Sequence, residues 1–287
     1  MIDAIASLFG GVIRLLYNVL GGNFGLSIIL FSIIVKFITF PLMYKQTKSM
    51  KEIEKIAPIE AEIRKKYKDN PEKMNMKLMD LYTQHKINPL GGCLPLLIQL
   101  PIILAMFYIV RQPLTYIKQM PVKEIRPYAE KIVATELKAA GKNEKQIQEQ
   151  IKKLNDKVIR NYEIQVANEN KLIDMNFAGI NFGDVPSKNL KNKPYLLIIP
   201  FLTLALGIYQ NKRMMKKSNM TPEQLEMQKT MMWMSPIMST YISYIMPVAL
   251  GVYWFLGGVI QLIQQEILDY KFNVTPKHDL LNKGGDK

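Results

Sequence analysis

A lysine, Lys36, lies inside the first long apolar stretch of this 287-residue chain. From Phe24 to about Met43 the residues are otherwise apolar, apart from a few hydroxyls. A helix needs about 20 such residues to cross a hydrocarbon core, where the backbone must satisfy its own hydrogen bonds. In such a helix Lys36 follows Phe24 by about 12 residues, roughly 18 Å into a core of about 30 Å. A mid-helix lysine costs about 2.5–3.5 kcal/mol on insertion scales, so it normally faces a wet cavity or a partner.

Four further stretches have the composition of spans: Leu90 to Val110, Pro194 to Gln210, Met231 to Pro247 and Val248 to Leu268. The last two form a helical hairpin turning at Pro247. The expected fold is an all-α polytopic membrane protein, with spans at 23–44, 90–113, 194–211, 231–247 and 248–268. Prolines at 41, 95, 101, 200, 236 and 247 fall within or at the ends of these spans, and each frees a backbone carbonyl.

A net charge of +14 alongside 48% hydrophobic residues means that charge and hydropathy are segregated along the chain. Basic residues crowd 45–89, and the run Lys212-Arg213-Met214-Met215-Lys216-Lys217 has no acid near it in sequence. The positive-inside bias puts 45–89, 212–230 and the mildly basic tail 269–287 in the cytoplasm, and the N-terminus outside. The segment 114–193, also rich in lysine, falls outside; at about 80 residues it exceeds the roughly 60 over which the bias acts. Because topology accounts for the charge, specific DNA binding is not expected. The single cysteine, Cys93, excludes an intrachain disulfide and reads as a small buried hydrophobe. With only His85 and His278 beside it, no metal spacing is recognisable, and no P-loop is present, so no cofactor is implied.

Residues 1–22 repeat apolar side chains at helical spacing, interrupted by Asp3, Ser7, Arg14 and Asn18, which predicts an amphipathic helix in the interface. A signal peptide, the competing reading, needs a positively charged start, and Asp3 has the wrong sign. Segment 45–89 predicts two helices standing in water. Ile53, Ile56, Ile59, Ile63 and Tyr67 stripe the first; Asn70 caps the second ahead of Pro71, and Asn88-Pro89 ends it. This hairpin is either a solvated connector or a receiving surface, with Met50, Met74, Met76 and Met79 as adaptable contacts or as core. Within 114–193, Asn143 and Gln146 resemble a capping box, with Ile147, Ile151, Leu154, Val158 and Tyr162 on one face. Asn176 to Ser187 reads as a non-helical return to the membrane.

No acid lies at the centre of another span; Glu266, near a cytoplasmic end, is the only candidate counter-ion for Lys36. Ser32, Lys36 and Thr39 share one side of the first helix. Gln99 lies in the second span, and Thr203 and Gln210 in the third. Trp254, Gly257, Gln261 and Gln265 align in the fifth. Together these stripes suggest an aqueous groove with one cation, although each glutamine alone also fits an interhelical hydrogen bond. Ser235, Ser239 and Ser243 fit close helix packing.

The pieces PLMYKQTKSM, LYTQHKINPLGGCLPLLIQLPI and PVALGVYWFLGGVIQLIQQ, with their order and spacing over 24–111 and about 194–268, resemble the YidC/Oxa1/Alb3 family of membrane protein insertases. The resemblance implies a five-helix core around a hydrophilic groove open to the cytoplasm and to lipid, and points to the Gram-positive bacterial type. It places a positive residue of the first span in that groove. The family usually has arginine there, where this chain has Lys36. Substrate-touching residues of the fifth span correspond to Tyr253 and Trp254. The substrate groove expected from stripes and resemblance together is Lys36, Ser32, Thr39, Gln99, Thr203, Tyr253, Trp254, Gln261 and Gln265. Residues 121 to 175 are not explained by the resemblance.

The function expected is that of an insertase and chaperone, not an enzyme. It would capture hydrophobic nascent chains in the charged groove and release them into the bilayer, alone or with the Sec translocon. Partners so implied are nascent membrane proteins, the lipid bilayer, the ribosome and the signal recognition particle pathway, at the bacterial plasma membrane with the C-terminus cytoplasmic. The rival reading is a small-anion transporter or channel with Lys36 as the binding cation. It lacks the internal repeat that transporters commonly show.

Overall fold

The computed structural model describes residues 2–86, 94–217 and 222–274. Helices dominate it, and the chain is an all-α polytopic membrane protein. Among the described residues three helices are long and apolar enough to cross a membrane: Phe24–Lys66, Pro194–Met215 and Val248–Phe272. Gln99–Arg111 forms a shorter apolar helix. Cys93, Asn88 and Pro89 lie outside the described residues, as does His278.

Contacts divide the chain into two compact units. One comprises Met1–Ile34, Ile98–Ala205 and Pro236–Leu256; the other comprises Val35–Leu97, Leu206–Ser235 and Gly257–Lys287.

In the first unit, α1 (Ile2–Val19) buries Ala6, Ile13 and Tyr17, while Leu8, Leu15 and Val19 form an exposed apolar stripe. Gly10 lets the helix approach closely: a Cβ there would stand 3.0 Å from the Cβ of Tyr116. Phe9 meets Phe31 edge-on, with ring centroids 5.4 Å apart. Next comes α2 (Phe24–Lys66), which begins where the Asn23 side chain accepts from the Leu26 amide at 2.8 Å. Then α4 (Leu94–Arg111) leads through the short α5 (Pro113–Tyr116) into four helices: α6 (Val122–Ala139), α7 (Glu144–Lys152), α8 (Asp156–Arg160) and α9 (Glu163–Glu169). The core of this group is the α6 face Ile125, Ala129, Ile132 and Val133, packed with Ile147, Ile159 and Val166.

The capping box of Asn143 and Gln146 forms in both directions. The single apolar face expected from Ile147 to Tyr162 is instead divided between α7 and α8. Asn155 accepts from the Val158 amide at 3.0 Å and so starts a new helix where a side chain on a continuous one was expected.

The return segment contains a small antiparallel hairpin, β1 (Asn176–Phe177) with β2 (Ile180–Asn181). Its flanks cap two long helices. The Phe24 amide donates to the Asp174 carbonyl at 3.0 Å, and the Val248 and Ala249 amides donate to the Asp184 and Phe182 carbonyls at 2.8 and 2.9 Å. Gly25 is required here, since a Cβ would meet the Cβ of Phe177 at 2.6 Å.

In the second unit α2 continues without a break to Lys66, through Pro41 and Pro58. Its 43 residues span roughly 65 Å, about twice the hydrocarbon thickness. The expected first span and the expected first helix of the 45–89 segment are thus one element. Asn70 caps α3 (Pro71–Gln84) by accepting from the Lys73 amide. The hairpin core is Ile56 and Leu81, flanked by Ile53, Ile63 and Tyr82. Glu60 is buried beside this core and accepts two bonds from Arg64, at 3.0 and 2.7 Å. Burial pushes the Tyr82 hydroxyl pKa up, and the neighbouring Glu60 carboxylate adds to the shift. Met76 and Met79 are exposed, whereas Leu78 and Leu81 are buried.

The remaining helices are α10 (Ile198–Lys217), α11 (Pro222–Ile245) and α12 (Val248–Val274). Most of 212–230, expected as a loop, is therefore helical.

Candidate functional site

Lys36 is half-buried in the second unit, and one face of α12 touches three different parts of it. At the ammonium, Nζ donates to Gln261 Oε1 at 3.2 Å. The stem crosses Gly257, where an added Cβ would lie 3.0 Å from Lys36 Cε. At the backbone, the Gln264 amide donates from Nε2 to the Lys36 carbonyl at 2.9 Å. Gly257, Gln261 and Gln264 fall at i, i+4 and i+7, one side of one helix. Thr39 stands one turn further along α2, its hydroxyl bonded to the Val35 carbonyl at 2.8 Å.

No acid pairs with Lys36 among the described residues. Glu266, the one candidate from sequence, pairs with Arg213 at 2.6 Å. Arg213 also meets Asp269 at 2.9 Å, and Lys51 stands 3.9 Å from the same carboxylate. Arg213, within the basic run that ends α10, is therefore paired in space with acids more than fifty residues away. Lys36 instead faces neutral acceptors, which leave its charge uncompensated. On the adjoining face, Gln210 donates to the Gly258 carbonyl at 2.9 Å, and Gly258 lies against Leu206.

Of the other expected groove residues, Ser32, Gln99, Thr203, Tyr253 and Trp254 fall in the first unit. Ser32 and Thr203 are buried, each with its hydroxyl bonded to the carbonyl one turn back, Ile28 at 2.6 Å and Ile199 at 2.8 Å. Ser243 does the same with Ser239 at 2.8 Å and lies against Gly251, the close packing expected of the serine stripe. Tyr253 is 3% exposed, and its hydroxyl has no hydrogen-bond partner among the described residues. The half-buried Gln99 side chain approaches it without reaching hydrogen-bond geometry. Trp254 is half-buried.

Sequence reasoning chose Gln265 for the stripe and passed over Gln264. Gln264 is 6% exposed and holds Lys36, while Gln265 is half-buried beside it. Gly257, Gln264 and Leu268 share the buried side of α12, which no local sequence signal marks.

A family model described as 60Kd inner membrane protein matches residues 15–275. A Fusobacterium nucleatum protein named membrane protein insertase YidC is 32% identical over 244 residues, 85% of each chain. Proteins of the same name from Pelobacter propionicus and Pelodictyon phaeoclathratiforme are 51% identical over 86 residues and 28% identical over 243. These alignments take in 30% and 85% of this chain, but only 16% and 32% of those longer relatives.

Proposed function

The chain belongs to the 60Kd inner membrane protein family, that of the YidC insertases, and from this premise we propose that it inserts nascent proteins into the bilayer with Lys36 as the capture cation. The family's members are insertases rather than enzymes, integral to bacterial membranes. The observation that carries the role of Lys36 is its setting: an ammonium held by a neutral amide, with no acid paired to it among the described residues.

An acidic or polar leading segment of a nascent chain supplies the missing counter-charge. At 4 Å an opposite charge gains about 4 kcal/mol at an effective dielectric near 20, a useful fraction of the cost of holding one carboxylate in the membrane. The hydrophobic segment that follows partitions into lipid without an energy source beyond burial of its own apolar surface. Within the first unit, the orphaned Tyr253 hydroxyl is able to donate to a polypeptide carbonyl, and Trp254 offers an aromatic face. Water-facing lysines of α2 and α3 attract anionic partners, the ribosome among them. We place these helices in the cytoplasm and the N-terminus outside. Work beside a Sec translocon or the signal recognition particle pathway belongs to the same proposal. Family membership favours insertion over anion transport.

Reconstituted vesicles with a single-span test protein provide the assay. Lys36→Ala should lower the inserted yield and Lys36→Glu should lower it further, because the captured segment is then repelled. Normal insertion by Lys36→Glu would sink the electrostatic role.

A further inference from the structure

We infer that Gln264 is a positioning residue, fixing the turn of α2 from which Lys36 projects. The inference rests on the capture role of Lys36 proposed above. Pro41 has no N–H, so the Phe37 carbonyl one turn back receives no helical donor, and the ring crowds that carbonyl. The turn carrying Lys36 is therefore weakened just where a cation must be aimed. Thr39 adds little, since its hydroxyl lies 2.8 Å from the Val35 carbonyl and 3.4 Å from that of Lys36.

Gln264 reaches across from α12 to the Lys36 carbonyl itself, at 2.9 Å. It is 6% exposed, so water competes poorly for that bond. Gln261 holds the other end of the same residue. With the backbone and the ammonium both tied to α12, Lys36 keeps its direction in the absence of an ion pair. A lysine has a flexible stem with three rotatable donors, unlike the planar fork of an arginine, and gains more from such external fixing.

The test is a double-mutant cycle in the full chain, reconstituted in vesicles and scored by inserted yield. Gln264→Met keeps the side-chain length and removes the donor. The lost bond should reduce insertion roughly three- to ten-fold. In a Lys36→Ala background the same substitution should cost no more than about 1.5-fold, because the group it positions is gone. Equal losses in both backgrounds overturn the inference, as does an unchanged yield in the Lys36 background.

A second readout needs no insertion. After reductive methylation with 13C-formaldehyde, the Lys36 resonance is assigned by its absence from Lys36→Arg. It should move in Gln264→Met and stay in place in Gln265→Met. A resonance unmoved by Gln264→Met overturns the positioning role whatever the insertion result. Wild-type vesicles that insert nothing would defeat the insertase reading alone. If Gln264→Met does not fold, Gln264→Asn, a methylene too short to reach the carbonyl, serves in its place with the same expectations.

Discussion

Gly257 is bare where Lys36 crosses it, and the lysine Cε would stand 3.0 Å from any Cβ built there. That separation is below ordinary carbon contact, so Gly257→Ala must displace the lysine stem. Alanine is also the better helix former, by about 1 kcal/mol. The two effects separate in measurement. Thermal stability should hold or rise, while insertion of a single-span protein falls several-fold. Gly258 is the control, since its neighbours are Leu206 and Gln210. An alanine there should disturb packing first, lowering the melting temperature.

Arg213 joins α10 to α12 through Asp269 and Glu266. It is 13% exposed and Asp269 16%, so this is a partly desolvated pair, unlike the exposed Lys77–Asp80 pair on α3. Arg213→Ala removes the guanidinium from a half-buried carboxylate and should destabilise by about 2 kcal/mol. Asp80→Ala should stay within about 0.5 kcal/mol. Denaturation in detergent micelles compares the two. Equal effects would mean that the Arg213 pair is solvated.

Local signals were legible in the sequence. Long apolar runs, the Asn70 and Asn143 caps and the intramembrane lysine depend on neighbours within one or two turns. Long-range pairings were not. The acids that meet Arg213 lie on another helix, and nothing local distinguishes Gln264 from Gln265 until α12 is rotated against α2. The 114–193 segment was the least legible. Its longest helix, α6, carries charges and Pro127 among its core residues Ile125, Ala129 and Ile132, which hides the stripe. The burial of Glu163 depends on Thr115, 48 residues earlier.

Ala178 lies in the left-handed region, with φ of +50°, beside Gly179 at +79°. A two-residue hairpin turn with positive φ at both positions favours Asn-Gly, and alanine there is strained by roughly 1 kcal/mol. Ala178→Asn or Ala178→Gly should relieve that strain. Hydrogen exchange at the Phe182 amide, which donates to the Met175 carbonyl at 2.8 Å, reports it. The expected outcome is about three- to five-fold slower exchange in Ala178→Asn.

Glu163 is fully buried, its carboxylate accepting from the Thr115 amide at 2.8 Å and the Thr115 hydroxyl at 2.6 Å, with Arg160 at 3.9 Å. Burial nevertheless prevails over these bonds and holds its pKa above the ordinary carboxylate value. A raised carboxyl pKa means that the folded segment favours the protonated form. The contribution of Glu163 to stability is therefore greatest at acid pH and declines as pH rises through the raised pKa. Glu163→Gln mimics the protonated state and has no such slope. The stability of wild type relative to Glu163→Gln should then fall as pH rises above the ordinary carboxylate range of about 4, read as melting temperature in micelles at each pH. A difference that grew with pH would mean that the bonds from Thr115 and the charge of Arg160 outweigh desolvation.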